Sequence, residues 1–417
     1  MRNGGRSPFG QPGRRKDMMM KRTANRWAVL AAACLVNLCV GSLYAWSVFA
    51  SPMAERLCAL TGQEIASLSV VFTIANAVGP VTMIGGGFFN DKLGARWVMF
   101  IGGLLFGFGM IASGFARSVS ALIVTYGLGV GFGVGMVYGC TVSTVVKLFP
   151  DKPGLAGGAT TAAYGASSVI MPLAANALIA SLDISAAFAL LGAVMLVVIC
   201  AMAFLIPTRV KELPRPNGTA AADDRSWREM LKAPEFYVML LMLCCGAFSG
   251  LMIVSQASPL AQRMVGMTQG QAAAVVSVLA LFNTGGRLLS GVLSDRFGVV
   301  RTLRGVFLCS AVGLALLLAA PGSAVAFYAG ICVVGFCFGS VMGIYPGFTA
   351  SRFGRRYNSV NYGIMFCGFA AAGFFGPTIM SGIYAASGSY SAAFWIAIVL
   401  SLAGMGLTFL CRRPARK

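Results

Sequence analysis

The sequence predicts an all-α polytopic membrane protein: twelve transmembrane helices in two six-helix pseudo-repeats. Three observations carry this. Apolar residues fill 58% of the 417 positions, Lys and Arg collect in alternate links between apolar runs, and one charged motif recurs about half a chain apart. Charged residues make up only 11%, against about 25% in a soluble domain. At ~20 residues per span, about 242 apolar positions suffice for roughly twelve crossings. Soluble, disordered and fibrous classes are excluded.

The runs follow in order. The first, 27–50, carries Asn37, Gly41 and Tyr44 at spacings of four and three. The second, 64–88, is preceded by Thr61-Gly-Gln-Glu64, which reads as a capping box. The third and fourth, 97–116 and 121–146, are separated only by Arg117 to Ser120, so they run antiparallel. The fourth contains Gly127, Gly131, Gly135 and Gly139 at spacing four, a pattern for tight helix contact with no dinucleotide-binding phase. Runs five and six are 155–179 and 186–206. After a polar stretch, the seventh is 236–258. The eighth, 271–293, has a second capping box at Thr268 and Gln271, and holds Asn283 and Arg287. Runs nine to twelve are 303–320, 324–346, 359–385 and 391–411, with Pro321 to Ser323 as another short link.

This divides the chain into a basic tail (1–26), a six-helix bundle (27–207), a loop (208–235), a second bundle (236–411) and a short tail (412–417). Of 32 Lys and Arg residues, 28 fall in the tails, the even-numbered links and the 208–235 loop, while only Arg56, Arg117 and Arg263 lie on the other side. The positive-inside rule therefore places both termini in the cytoplasm, with the chain in the inner membrane. The formal charge of +20 is then a topology signal and implies no nucleic-acid partner. The first run is too long for a signal peptide and is expected to be retained. Met18, Met19 and Met20 each offer a later translation start, which leaves residues 1–17 open.

The chain has no histidine, which removes His-ligated metals, Ser/His triads and the usual neutral-pH titration. The twelve cysteines form no C-x-x-C pair and read as free thiols, ten of them inside apolar runs. No catalytic cluster, metal site or cofactor is expected, and the chain reads as not an enzyme.

The recurring motif is Gly87-Phe-Phe-Asn-Asp91-Lys92-Leu-Gly94-Ala-Arg96 and Gly291-Val-Leu-Ser-Asp295-Arg296-Phe-Gly298-Val-Val-Arg301. With it the chain resembles a major facilitator superfamily transporter over residues 27–411. That resemblance implies that Asp91, Lys92, Arg96, Asp295, Arg296 and Arg301 tie the two halves together on the cytoplasmic side. A solvated turn with topology-setting charges is the plainer alternative.

All twelve acids fall in tails, loops or helix ends, and Arg287 is the one cation deep within an apolar run, eight residues before Asp295. That is about 12 Å along a helix. An arginine at membrane depth costs roughly 2.5–3.5 kcal/mol on insertion scales. It therefore needs a partner: an anionic ligand accepting two parallel N–H bonds, or backbone carbonyls and water. Asn283 shares its face one turn earlier. Tyr44, Tyr138 and Tyr164 each read equally as packing or as phenols that meet a carboxylate.

Further text resembles the oxalate/formate antiporter family, which includes monocarboxylate carriers: Gly41 to Phe49, Tyr138 to Gly158, Asn283 to Arg287, Asn361-Tyr362-Gly363, Gly388 to Tyr390 and Ala393-Phe394. The resemblance implies Arg287 as the substrate-binding arginine, with Tyr44, Tyr138 and Tyr164 lining the cavity; helical spacing adds Asn283 beside Arg287 and Asn37 on the face of Tyr44. Oxalate-carrying members place a lysine in the eleventh helix where this chain has Phe369, and no Lys or Arg occurs between Arg356 and Arg412. One cation suits a monoanion, because a second unpaired carboxylate in a low-dielectric cavity costs several kcal/mol.

The expectation is a monomeric secondary transporter of a lactate, pyruvate or formate type monocarboxylate, with the lipid bilayer as its other partner. Without an embedded acid to relay protons, exchange, or uptake with the proton on the substrate or in water, is favoured. An oxalate/formate-type exchanger, an exporter of drugs or amphiphiles, and a non-transporting anion sensor remain as alternatives.

Overall fold

A computed structural model of the chain describes residues 12–62, 65, 67–208 and 224–411. The tail segments 1–11 and 412–417, Glu64 and most of the 208–235 loop lie outside them. Among the described residues, twelve helices are long and apolar enough to cross a membrane: α1 Arg26–Thr61, α2 Ser69–Leu93, α3 Ala95–Gly114, α4 Val119–Leu148, α5 Pro153–Ser181, α6 Ile184–Leu205, α7 Pro234–Val265, α8 Gln269–Phe297, α9 Val299–Leu318, α10 Ala324–Phe353, α11 Asn358–Ser387 and α12 Ser391–Leu410. No strand occurs among the described residues.

The helices form two six-helix halves, α1–α6 and α7–α12. They meet through α5 against α8 and α10, and through α11 against α2 and α4. The face that carries the starts of α1, α5 and α7 and the ends of α2, α8 and α10 holds most described Lys and Arg residues, and is called the basic face below. Large apolar side chains such as Val81, Leu173, Val197, Leu289 and Phe409 stay exposed around the perimeter. That is the pattern of a helix bundle whose outer surface faces hydrocarbon rather than water.

Helix ends follow local chemistry. Thr268 and Gln271 form the expected capping box at the start of α8. The one expected at Thr61 depends on Glu64, which lies outside the described residues. Gly62 adopts φ +67°, which ends α1, and the Thr61 hydroxyl donates back to the Leu57 carbonyl within the same helix. The second span consequently starts at Ser69. The repeated motif also sits differently from expectation. Gly87 to Leu93 and Gly291 to Phe297 are the last turns of α2 and α8, and the break comes only at Gly94 and Gly298, with φ +94° and +88°. Charged side chains at the membrane surface are solvated there, so nothing forces the helix to stop with the apolar run.

Two helices are interrupted where they approach the bundle centre. In α1, Gly41–Ala45 winds as a 3₁₀ segment. A Cβ on Gly41 would lie 2.6 Å from the Tyr164 carbonyl oxygen of α5, so only glycine permits this seam. In α11 the helix breaks at Phe366, between Asn358–Met365 and Cys367–Ser387. In addition, Ile123–Val130 of α4 winds as a π-helix. A helix of one and a half turns, Trp227–Lys232, precedes α7 with its own capping box, Ser226 and Glu229. Those hydrogen bonds from Ser226 hold the exposed Glu229 carboxyl below its usual range.

Candidate substrate site and gate

Arg287 lies about midway along the α5–α8 seam, because small residues let the two helices nearly touch there. A Cβ on Gly158 would fall 2.5 Å from the Arg287 carbonyl oxygen. The residue is 5% exposed. Its Nε donates to the Asn283 Oδ1 at 2.8 Å and its Nη1 to the Thr161 carbonyl at 3.0 Å. Asn283 sits one turn earlier on α8, as its spacing implies, while Thr161 belongs to the other half. Both acceptors are neutral. Among the described residues no acid pairs with Arg287; the ion pairs include Arg26–Asp151, Lys147–Asp91 and Arg352–Glu235. The positive charge is thus hydrogen-bonded but uncompensated, which at low dielectric makes an incoming anion strongly favoured.

A chain of aromatic rings runs from the tyrosines near the guanidinium across to the second half. Tyr44 meets Tyr164 edge-on at 5.5 Å, Tyr164 meets Tyr138 at 4.8 Å, and Tyr138 reaches across the halves to Phe366 at 6.0 Å. Phe366 contacts Tyr362 at 5.9 Å and stacks on Phe369 at 4.5 Å, which faces Phe338 at 6.4 Å. The phenols of Tyr44, Tyr138, Tyr164 and Tyr362 all lie within electrostatic reach of Arg287. One flank therefore offers a cation with hydroxyl donors, and the other, at Phe366 and Phe369, offers only hydrocarbon. A carboxylate with a short apolar remainder matches that polarity.

The Asn37 amide is taken up by helix packing. It is fully buried and donates to the Ala33 carbonyl and the Thr141 hydroxyl, fastening α1 to α4. Sequence reading missed Thr161, Tyr362 and Phe366. Tyr362 lies within the Asn361-Tyr362-Gly363 text and Phe366 just after it, so their neighbourhood was visible, whereas a backbone carbonyl such as that of Thr161 leaves no side-chain signal.

The gate residues divide by role. Asp295 spans the halves: its carboxylate accepts from the Gly154 and Leu155 amides at 2.8 and 2.7 Å, at the start of α5. A carboxylate there also meets the positive end of the α5 dipole. Asp91 accepts from Lys147 at 2.8 Å inside its own half, and Lys147 in turn donates to Ser359 of α11 at 3.3 Å. Ser359 also bonds Asn90 and Ser143. Arg96 donates to the Ile206 carbonyl within its half, and Arg296 lies over the Phe297 ring. Lys92 and Arg301 are exposed. Ser359 and Lys147 thus take the tying positions expected of Lys92 and Arg96. Among the described residues, the hydrogen bonds between halves all lie between Arg287 and the basic face, so the bundle is fastened there.

The sequence matches the Major Facilitator Superfamily over residues 30–377. It is similar to the oxalate:formate antiporter of Oxalobacter formigenes, 33% identical over 397 residues that span 94% of this chain and 93% of that protein. It is also similar to monocarboxylate transporter 12 of Rattus norvegicus, 24% identical over 436 residues, 94% of this chain and 86% of that one. Among solved structures, the fucose:proton symporter of E. coli superposes with a TM-score of 0.69 at 17% identity, covering 92% of this chain and 98% of the other. The proton:xylose symporter XylE gives 0.73 at 14%, covering 94% and 96%. At such identities these structures establish the fold alone.

Proposed function

The chain belongs to the major facilitator superfamily, resembling its oxalate/formate antiporter family, and is a membrane transporter rather than an enzyme; we propose that its cargo is a small monocarboxylate, carried by alternating access around Arg287. The observation that carries the reading is a buried guanidinium whose hydrogen-bond partners are neutral and whose far flank is phenylalanine. The cargo carboxylate takes the guanidinium and the nearby tyrosine hydroxyls. Its remainder lies against Phe366 and Phe369, where a second carboxylate finds no cation.

Fastening at the basic face corresponds to a carrier closed toward the cytoplasm, with both termini there and the chain in the inner membrane. Cargo entering from the opposite face neutralises Arg287 and lets α8 shift along α5. The second half then tilts on the first, and the bonds of Asp295 and Ser359 release. A bare buried cation makes the empty carrier reluctant to reorient, so carboxylate exchange follows more naturally than net flux. That mode agrees with the name of the relative from Oxalobacter formigenes.

The test is competition in proteoliposomes loaded with the purified chain. Formate, lactate and pyruvate are expected to displace labelled monocarboxylate at least about tenfold more effectively than oxalate, the equivalent of ~1.4 kcal/mol. Oxalate as the strongest competitor would overturn the charge-count reading.

A further inference from the structure

A cavity of about 510 Å³ opens between α8, α9 and α10 on the side of the bundle away from Arg287. Its lining includes Leu293, Phe297, Gly305, Val306, Phe336 and Cys337, with Arg301 and Thr302 at the basic-face end. The polar members are unevenly occupied. Ser290 bonds Ser340, and the Thr302 hydroxyl donates to the Gly298 carbonyl. Arg301 is exposed and has no hydrogen-bond or ion-pair partner among the described residues. Leu293 and Phe297 are 38% and 52% exposed, so the cleft faces hydrocarbon laterally.

The first half treats its own motif arginine, one residue nearer the glycine, differently. Arg96 is spent on the Ile206 carbonyl, and the neighbouring Trp97 lies exposed at the interface. Of these two motif arginines, the one in the second half is the unspent guanidinium, and it sits at the surface end of an apolar groove. A hydrocarbon-lined groove within the membrane and a cation at headgroup level together describe the two ends of an anionic lipid.

We propose that this cleft binds an anionic phospholipid from the leaflet on the basic face, with an acyl chain between α8 and α9 over the Phe336 floor and the phosphate on Arg301. The volume is that of an ordinary small-ligand site, and large enough for part of one chain. Because α8 also carries Arg287, the lipid braces the cargo-binding helix from its outer side.

Native mass spectrometry of the full chain, purified in neutral detergent and titrated with phosphatidylglycerol or phosphatidylcholine, tests the proposal. Phosphatidylglycerol should be retained preferentially. Arg301→Gln should weaken that retention about fivefold, the share of one cation at an anionic surface. Gly305→Leu should abolish it by filling the groove, and that change is tolerable because a Cβ there meets nothing within 4 Å. Lys92→Gln, an exposed cation in the first half, should change nothing. Equal retention of the neutral lipid, or wild-type retention by Arg301→Gln and Gly305→Leu, would overturn the assignment. Cargo exchange by Gly305→Leu then reports separately whether the braced helix matters for transport.

Discussion

In the proposed carrier, Phe369 is the residue that sets the choice between one and two carboxylates. Its ring stacks on Phe366 and faces Phe338, so a cation placed there would sit across the aromatic chain from Arg287. Phe369→Lys is expected to lower monocarboxylate exchange and raise relative oxalate competition by about tenfold or more, since it supplies a counter-charge worth a few kcal/mol in a low-dielectric site. Competition against labelled formate reads it; an unchanged ratio would remove Phe369 from the site. Arg287 and Asn283 were legible as a pair because four residues on a helix make one turn. Asn37 was legible as sharing the face of Tyr44, since the 3₁₀ turn at Gly41–Ala45 brings i and i+3 into line. Its partner was not, because the bond to the Thr141 hydroxyl arises only when α1 packs on α4.

Helix seams, rather than single side chains, set the closure. The start of α5 sits on Asp295, and two backbone amides donate to one carboxylate, each such charged bond worth about 1.5–3 kcal/mol. Asp295→Asn keeps an acceptor but loses the charge. Amide hydrogen exchange across 153–161 is expected to quicken about tenfold as the basic-face seam loosens; exchange at the wild-type rate would show that the carboxylate does not hold the seam. The repeated motif made Asp295 legible in the sequence. It did not reveal that the Asp91 side works through Lys147 and Ser359, because those contacts arise only when α4 and α11 pack side by side. The number and order of helices were readable from apolar length alone. Their ends were less so, since surface charges extend α2 and α8 past the apolar runs, while Gly62 stops α1 at Thr61.

Across the whole molecule, the absence of histidine and the confinement of all twelve acids to tails, loops and helix ends leave the cargo site without a group that titrates near neutrality. Exchange of a fully ionised monocarboxylate is therefore expected to vary less than about twofold between pH 6 and pH 8 in proteoliposomes clamped at equal internal and external pH. A steep rise toward acid would instead indicate proton coupling. The halves, their repeat and the basic side were legible from composition and charge placement, because membrane insertion acts on those quantities directly. The direction in which the bundle is fastened was not, since it depends on a balance of few-kcal/mol contacts between finished helices. The claim beneath all of this is that one buried guanidinium holds the cargo, and counterflow of labelled formate or lactate into vesicles containing Arg287→Gln measures it most directly. The account predicts normal insertion and thermal unfolding with flux lowered about 100-fold or more, from the ~3 kcal/mol attached to a desolvated charge pair. Flux within about twofold of the wild type would contradict it.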